Sequence, residues 1–316
     1  MSFGPAVTVP AGETHGGDAI RVALALGIDP ATVVDLSASL NPFAPDVQAL
    51  AAAELRRPAS SALTTYPDAA AATVALATAI GVDPELLVLT NGGAEAISLV
   101  AAAVGAGSIV EPEFSLYRRH LARVDDGAPR WRSNPSNPLG RLAATGEDAA
   151  VWDEAFYPLA TGRWTRGDLG GWRLGSLTKV WSCPGMRLGY AIAPDAAAAA
   201  RLRAAQPQWS VNGLALALVP ALLDRTDLVA WASSIAALRA RFVAAVSGLG
   251  FAVDDTDANW VLVDHPGLRA ALAPHGVVVR DCASFGLAGV HRVALPAPAD
   301  LDRVVAAFAA VAAVAR

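Results

Sequence analysis

Short apolar runs and longer helical stretches alternate through the first two thirds of the chain. LLVLT (residues 86–90) and AAVWDEAF (residues 149–156) have the pattern of buried strands, and NGGAEAISLVAAAVGAG (residues 91–107) has that of a helix. Strands that alternate with helices form largely parallel sheets. The pattern therefore predicts an α/β architecture.

The pattern changes after about Pro220. A long helical stretch (residues 228–250) is followed by four short apolar segments and a closing helix. The four segments are FAVDD, NWVLVD, GVVVRD and HRVAL. This order is typical of a smaller α+β subdomain, so we predict two subdomains in one chain.

Composition narrows the range of partners. The 316 residues are 54% hydrophobic, which is enough for a large core, and the net charge is -5 with 24 lysines and arginines scattered along the chain. Because these cations form no basic runs, nucleic acid and anionic membranes are poor candidates, and a small soluble substrate is favoured. The first residues lack the pattern of a secretory signal, and the longest apolar runs fall short of the roughly 20 residues of a membrane span. We therefore expect a cytoplasmic location.

The two cysteines give no sign of a disulfide framework or a metal centre. Cys183 and Cys282 form no CxxC pair and have no metal-ligand spacing. They are interpreted as reduced thiols, as is usual inside cells.

Two segments in the first half of the chain carry candidate chemistry. TNGGAEAI (residues 90–97) places two glycines between a strand and a helix, where backbone N–H groups and the helix dipole favour a phosphate. A plain connection is the alternative. SNPSNPLGR (residues 133–141) fixes a rigid turn that presents Asn137, although an ordinary Asn-Pro turn has the same pattern.

Two further segments follow. VWDEAF (residues 151–156) places Asp153 at the end of a predicted strand, where open α/β sheets bind ligands, while Glu154 fits a solvated loop acid better. GSLTKVWSCPGMRLGY (residues 175–190) surrounds Lys179 with small and apolar residues, and partial desolvation makes a neutral, nucleophilic amine accessible. Such a lysine forms Schiff bases; a surface lysine with a buried stem is the alternative.

Taken in order, the four segments supply the parts that hold pyridoxal phosphate: a phosphate cradle, an asparagine, a strand-end aspartate, and a lysine followed by Arg187. The chain resembles the fold-type I pyridoxal-phosphate enzymes of the aminotransferase class, in the branch of L-threonine-O-3-phosphate decarboxylase and histidinol-phosphate aminotransferase. The resemblance extends from His15 to Leu295, and SLTK…PGMRLGY is its most specific element. It implies the aspartate aminotransferase-like fold, an α/β fold with a large domain and a small one. The large domain (residues 38–219) would contain a mostly parallel seven-stranded sheet, and the small α+β domain would comprise residues 1–37 and 220–316.

The resemblance also implies roles for individual residues in the cofactor site. Lys179 would carry pyridoxal 5'-phosphate as a Schiff base, Asp153 would pair with the ring nitrogen, and Tyr117 would stack on the ring. Asn137 would donate to the phenolic oxygen. Tyr66 would reach the cofactor phosphate of the neighbouring subunit in a homodimer. The residues implied for the phosphate within the subunit are Gly93, Ala94, Ser176 and Arg187.

The implied substrate is a phosphorylated amino acid. Arg292 would grip its carboxylate and Arg280 its phosphate, since arginine binds both anions bidentately. His15 and Asn41 would assist from the N-terminal loops. The alternatives are that Arg280 pairs with a surface acid such as Asp281, and that His15 is only a turn residue.

Four features favour the decarboxylase within this branch. They are the HGGD start (residues 15–18) with SASLNP (residues 37–42), QWSVNGLA (residues 208–215), VVVRDCASF (residues 277–285), and Phe156 where many aminotransferases carry a tyrosine. The expected reaction is the decarboxylation of O-phospho-L-threonine to (R)-1-amino-2-propanol phosphate in cobalamin biosynthesis. The alternatives are an aminotransferase acting on histidinol phosphate or an aromatic amino acid, and a non-catalytic pyridoxal-phosphate sensor. The short interval between Asn137 and Asp153 implies that a helix is trimmed there.

Overall fold

The alternation of strands and helices builds two sheets, one in each of two units. The computed structural model describes residues 9–10, 12, 15–167 and 170–314. Unit 1 comprises the described residues of Met1–Pro42, Pro138–Gly140 and Ser234–Arg316, and unit 2 comprises those of Phe43–Asn137 and Arg141–Ser233.

The described residues form the following regular elements. The helices are α1 (Ala19–Leu26), α2 (Val47–Leu55), α3 (Ala70–Ile80), α4 (Gly92–Val104), α5 (Ser115–His120), α6 (Tyr157–Thr161), α7 (Leu177–Val180), α8 (Ala196–Ala205), α9 (Gly213–Leu223), α10 (Leu228–Gly248), α11 (Leu268–Leu272) and α12 (Leu301–Val314). The strands are β1 (Val34–Leu36), β2 (Leu87–Asn91), β3 (Ala106–Ile109), β4 (Arg123–Val124), β5 (Arg130–Ser133), β6 (Val151–Asp153), β7 (Trp172–Gly175), β8 (Leu188–Ile192), β9 (Ala252–Asp254), β10 (Trp260–Asp264), β11 (Val277–Asp281) and β12 (Val290–Ala294).

Unit 2 contains a seven-stranded sheet in the order β2-β8-β7-β6-β5-β3-β4. The strands from β4 to β7 pair in parallel, and β8 runs antiparallel to both β7 and β2. The predicted mostly parallel seven-stranded sheet is therefore confirmed. Its parallel strands end at one edge, where ligands bind in open α/β sheets.

The core of unit 2 is formed where helices cover this sheet. Ile97 and Val100 of α4 and Leu202 of α8 belong to the same buried cluster as Trp131 and Leu174 of the strands. Strands β6, β7 and β8 are buried at every position, as expected where helices cover a sheet, whereas β5 alternates between buried and partly exposed residues. Between β5 and β6 the chain forms turns without a helix, in agreement with the short interval seen in the sequence.

Unit 1 contains a smaller mixed sheet in the order β1-β11-β12-β10-β9. Only β1 and β11 pair in parallel, and the other neighbours are antiparallel. Phe308 of α12 packs edge-on against Phe242 of α10 and against Phe251, with ring centroids 5.9 and 5.2 Å apart. The mixed sheet confirms the predicted α+β character of this part of the chain.

The boundaries of the units differ from residues 37/38 and 219/220. Helix α9 packs against α2 and α3, so the residues after 219 continue in unit 2 until α10 has begun. Residues 38–42 stay with unit 1, where the Asn259 side chain donates to the Leu40 carbonyl at 2.9 Å. The Trp260 indole N–H donates to the Pro138 carbonyl at 2.9 Å, which ties residues 138–140 to unit 1.

Helix α10 is the one described helix that is long and apolar enough to cross a membrane, by length and composition alone. The helix is 21 residues long, but serines and two arginines interrupt its apolar sequence. Its buried side chains follow helical spacing: Trp231, Ile235, Leu238, Phe242 and Val246. One buried stripe of this kind is typical of a helix that packs on a protein core.

Candidate active site

The N-terminus of α4 has the geometry of an anion cradle. Gly92 has a φ of +75°, and a Cβ there would clash with the Arg187 guanidinium. A Cβ at Gly93 would lie 3.4 Å from the Cβ of Ser176. The N–H groups at the start of this 13-residue helix therefore lie beside an arginine and a serine, the arrangement that binds phosphate. Of the predicted set, Gly93 lies beside Ser176, Arg187 lies beside the adjacent Gly92, and Ala94 follows in the first turn of α4.

Two further contacts are found at the start of α4, one made by Gly189 and one by Glu95. Gly189 of β8 passes so close to the turn that a Cβ there would lie 2.6 Å from both Gly92 C and Gly93 N. The acid in the first turn, Glu95, accepts hydrogen bonds from Asn91 N–H, at 2.7 Å, and from Gln206 and Ser210, at 3.0 Å each. Two side chains at the α8–α9 connection, Gln206 and Ser210, therefore bind the Glu95 carboxylate.

Lys179 lies on α7, directly after β7. Its neighbours Leu177, Val180 and Trp181 are buried, whereas Lys179 itself is half-buried. The Lys179 Nζ lies 5.6 Å from the ring centroid of Phe156. Lys179 thus lies among buried apolar residues and close enough to Asp153 for its charge to act on that carboxylate, while its own side chain stays half-buried.

Asp153 ends strand β6 as a buried carboxylate with two donors. The Tyr117 hydroxyl donates to its Oδ2 at 2.7 Å and the Ala155 N–H donates to its Oδ1 at 3.0 Å. Burial raises the pKa of Asp153, while these hydrogen bonds and the charge of Lys179 favour the ionised form. The adjacent Glu154 is also buried and accepts from Arg166 N–H at 2.8 Å, so the expectation of a solvated loop acid is wrong.

Tyr117 does not lie where a stacking residue is required. Its side chain has no exposed surface, since it packs against Trp131 and directs its hydroxyl to Asp153. A ring with no exposed face cannot stack on a cofactor, so the structure contradicts the stacking role and gives Tyr117 a supporting one. Phe114, three residues earlier, is partly exposed and meets Tyr117 edge-on at 5.8 Å. It is the aromatic residue of this segment that can offer a ring face.

Asn137 follows β5 in a buried turn. Its backbone N–H donates to the Ser133 hydroxyl at 2.8 Å. That hydroxyl in turn donates to the carboxylate of Glu113, a buried acid that the sequence interpretation did not single out. The EPEF segment shows two acids around a proline, a pattern that does not distinguish the exposed Glu111 from the buried Glu113.

Tyr66 is among the most exposed aromatic residues of unit 2. It is 76% exposed and stacks on Trp209, also exposed, with ring centroids 4.4 Å apart. Nothing within the described part of the subunit explains why two large rings face outward together. The arrangement is consistent with the prediction that Tyr66 acts on a neighbouring subunit.

Arg280 and Arg292 are two buried arginines that lie next to each other in the sheet of unit 1. They are direct Cα partners on the antiparallel strands β11 and β12, and both are buried. Arg280 donates to the Ser284 hydroxyl at 2.8 Å, and Arg292 donates to the Ser37 carbonyl at 3.2 Å. Burial lowers the pKa of both guanidinium groups, and their proximity lowers that of Arg292 further. Two adjacent buried cations of this kind are suited to an anionic ligand.

The loops that carry His15 and Asn41 belong to the same unit. Gly17 N–H donates to the Ser37 hydroxyl at 2.7 Å, so HGGD and SASLNP are in contact. Through the Ser37 carbonyl these loops also reach Arg292. Asn41 is buried and His15 is exposed.

The two cysteines and the possible metal ligands give simpler results. Cys183 and Cys282 are both buried and not bonded to each other. Across the described residues, no group of three or more His, Cys, Asp and Glu side chains is arranged to hold a metal ion.

The residues of unit 2 fit pyridoxal 5'-phosphate. The cradle at α4 would hold its phosphate, Lys179 its aldehyde carbon, and Asp153 its ring nitrogen. Asn137 would contact the phenolic oxygen. An added Cβ would meet the Arg187 guanidinium at Gly92 and the Gly92–Gly93 backbone at Gly189, so these glycines allow Arg187 and β8 to approach the helix start closely. When bound, the cofactor supplies an electron sink for the pair released from the substrate's α-carbon.

Comparison with known proteins agrees with this arrangement. Residues 149–308 match the family model "Aminotransferase class I and II". The chain is 30% identical to threonine-phosphate decarboxylase from Salmonella typhimurium, over 93% of this chain and 95% of that protein. It is 28% identical to histidinol-phosphate aminotransferase from Haloarcula marismortui, over 90% and 91%. The structure of histidinol-phosphate aminotransferase from Sinorhizobium meliloti in complex with pyridoxal-5'-phosphate is similar, with a TM-score of 0.74, 19% identity, and coverage of 89% of this chain and 90% of that one.

Proposed function

Because the chain belongs to the aminotransferase class I and II family, which uses pyridoxal 5'-phosphate, we propose that it decarboxylates O-phospho-L-threonine. The product is (R)-1-amino-2-propanol phosphate, and the pathway is cobalamin biosynthesis. The similarity to threonine-phosphate decarboxylase, at 30% identity over nearly the whole of both chains, supports this choice.

The observation that carries the proposal is the Arg280–Arg292 pair. O-Phospho-L-threonine has two anionic ends, a carboxylate and a phosphate. Histidinol phosphate has only the phosphate, although the glutamate and 2-oxoglutarate of a transamination carry two carboxylates each. Two buried guanidinium groups directly opposite one another match a substrate with two anions. In this proposal Arg292 binds the carboxylate and Arg280 the phosphate.

Phe156 gives a second line of support. It lies against the Lys179 Nζ, at 5.6 Å, with a ring that has no hydroxyl group. In the family resemblance many aminotransferases carry a tyrosine at this position. A phenylalanine leaves the surroundings of Lys179 without that donor, which favours a reaction other than transamination.

Each residue of the proposed site has its own role. Lys179 binds the cofactor covalently and, when released, can accept or donate a proton at its Nζ. Asp153 keeps a proton on the ring nitrogen, and Tyr117 holds the Asp153 carboxylate in place by its 2.7 Å hydrogen bond. The arginines orient the substrate, because the bond that breaks is selected by its orientation relative to the ring.

The proposal is tested by the need for an amino-group acceptor. Purified holoenzyme is incubated with O-phospho-L-threonine, with and without 2-oxoglutarate, and carbon dioxide release is measured. We expect the same release in both reactions, with L-threonine as the control for the phosphate requirement. A strict dependence on 2-oxoglutarate would contradict decarboxylation.

Transamination of histidinol phosphate is the second candidate, since several histidinol-phosphate aminotransferases are 28% to 29% identical to the chain. It predicts glutamate formation from histidinol phosphate and 2-oxoglutarate. The same preparation, assayed for glutamate with this substrate pair, decides between the two.

A further inference from the structure

A second buried carboxyl group lies beside the acid of the cofactor site. Glu113 is 5% exposed, and the Ser133 backbone N–H donates to both of its carboxylate oxygens, at 3.2 Å each. The Ser133 hydroxyl also donates to this carboxylate, at 2.7 Å to Oε2. Ser133 is the Cα partner of Asp153 across strands β5 and β6. Two acids therefore share one buried cluster at the carboxyl ends of neighbouring strands.

The cluster also connects to Asn137. The Ser133 hydroxyl oxygen accepts the Asn137 N–H at 2.8 Å, so the turn that bears Asn137 is attached to the Glu113–Ser133 pair. On the same segment as Glu113, Tyr117 donates to Asp153 at 2.7 Å. Residues 113–117 thus support both Asp153 and Asn137.

We propose that Glu113 is a positioning residue of the cofactor site: through Ser133 it fixes the turn that bears Asn137, and it forms the second buried acid beside Asp153. The inference rests on the roles proposed above for Asp153 and Asn137. It concerns the binding of the cofactor and is independent of the substrate.

The charges around Glu113 determine which acid is ionised. Asp153 faces it from β6, Tyr117 from α5, and Arg132 from β5. Burial raises the pKa of Glu113 to about 7, and the nearby charge of Asp153 also raises it. The hydrogen bond from the Tyr117 hydroxyl and the charge of Lys179 favour the ionised form of Asp153. The Ser133 hydrogen bonds and the charge of Arg132 favour the ionised form of Glu113, but burial outweighs them, so Glu113 is protonated below about pH 7.

Two variants separate the effect of Glu113 ionisation from the effect of its hydrogen bonds to Ser133. Glu113→Gln keeps an acceptor for Ser133 but cannot ionise, and Glu113→Ala removes the acceptor. Glu111→Gln is the matched control, since Glu111 lies two residues away, is exposed, and pairs with Arg118 at 3.0 Å. For each protein the visible absorbance of the bound cofactor is titrated with pH, and the cofactor dissociation constant is measured by reconstituting the apoprotein.

Ionisation of Glu113 places a second negative charge beside Asp153, so we expect the cofactor absorbance of the wild type and of Glu111→Gln to titrate near pH 7. This step is expected to be missing in Glu113→Gln. Glu113→Ala should weaken cofactor binding about ten-fold, because loss of the acceptor frees Ser133 and the Asn137 turn, while Glu113→Gln should weaken it by less than about three-fold.

Three results would overturn the inference: no step near pH 7 in the wild type, the same step in Glu113→Gln, or unchanged cofactor binding in Glu113→Ala. If Glu113→Ala does not fold, the titration of Glu113→Gln decides alone. None of these measurements uses a substrate, so a failure of the proposed decarboxylation leaves them valid.

Discussion

In the proposed function, Arg280 and Arg292 are the two side chains that bind the anionic groups of the substrate. Their guanidinium groups are buried on adjacent strands, where burial lowers the pKa of both and the charge of Arg280 lowers that of Arg292 further. Arginine suits this position better than lysine because its planar fork binds carboxylate and phosphate bidentately. The pair therefore predicts a division of labour that single substitutions can separate.

Arg292→Ala should weaken all amino acid substrates, whereas Arg280→Ala should weaken phosphorylated substrates and spare unphosphorylated ones. Loss of one buried charge-assisted contact costs roughly 2–5 kcal/mol, since it leaves the other group unpaired. Binding of threonine and of phosphothreonine to each variant is measured by the change in cofactor absorbance, with the exposed Arg241→Ala as the control in unit 1. Equal loss of both ligands in both variants would contradict the assignment.

At the scale of elements, the main strands and α4 could be predicted from the hydrophobic pattern, because buried strands and helices have different periods of apolar residues. The aromatic of the EPEFSLY segment was assigned wrongly because spacing alone does not show which ring is exposed: Tyr117 is buried and Phe114 is not. Glu113 was missed for a similar reason, since its burial depends on Ser133, 20 residues away.

The contact between β8 and the start of α4 has its own prediction. Gly189→Ala should push the Gly92–Gly93 peptide away from β8, because the added Cβ would lie 2.6 Å from both atoms of that peptide bond. Overpacking of this kind costs about 1–3 kcal/mol, which corresponds to a loss of cofactor affinity of about 5- to 150-fold if the whole cost falls on the cradle. Gly248→Ala, with no atom within 4 Å of the added Cβ, is the control. Equal cofactor affinities for the two variants would show that the cradle does not depend on this approach.

At the scale of the whole molecule, the sequence predicted the fold class but placed the boundaries of its units too early at residues 37/38 and 219/220. The reason is that long-range contacts decide them: α9 packs on α2 and α3, and residues 138–140 join unit 1 through Trp260. The homodimer stays a prediction. Its strongest support is Tyr66, whose ring is exposed beside Trp209.

If Tyr66 serves the neighbouring subunit, two inactive variants should complement each other. Lys179→Ala lacks the cofactor lysine and Tyr66→Ala lacks the donated tyrosine, yet a mixed dimer contains one complete site. Equal amounts, reassorted at random, should recover about a quarter of the wild-type activity, since half of the dimers are mixed and each has one working site. Activity that stays at the sum of the two separate variants would contradict a shared site.

The most direct test of the proposed reaction follows the carboxyl carbon. O-Phospho-L-threonine labelled with carbon-13 in its carboxyl group is given to the holoenzyme without any keto acid, and the label is followed by NMR. The account predicts that the label appears as carbon dioxide and bicarbonate in an amount equal to the 1-amino-2-propanol phosphate formed. Retention of the label in an organic acid, formed only when 2-oxoglutarate is added, would contradict it.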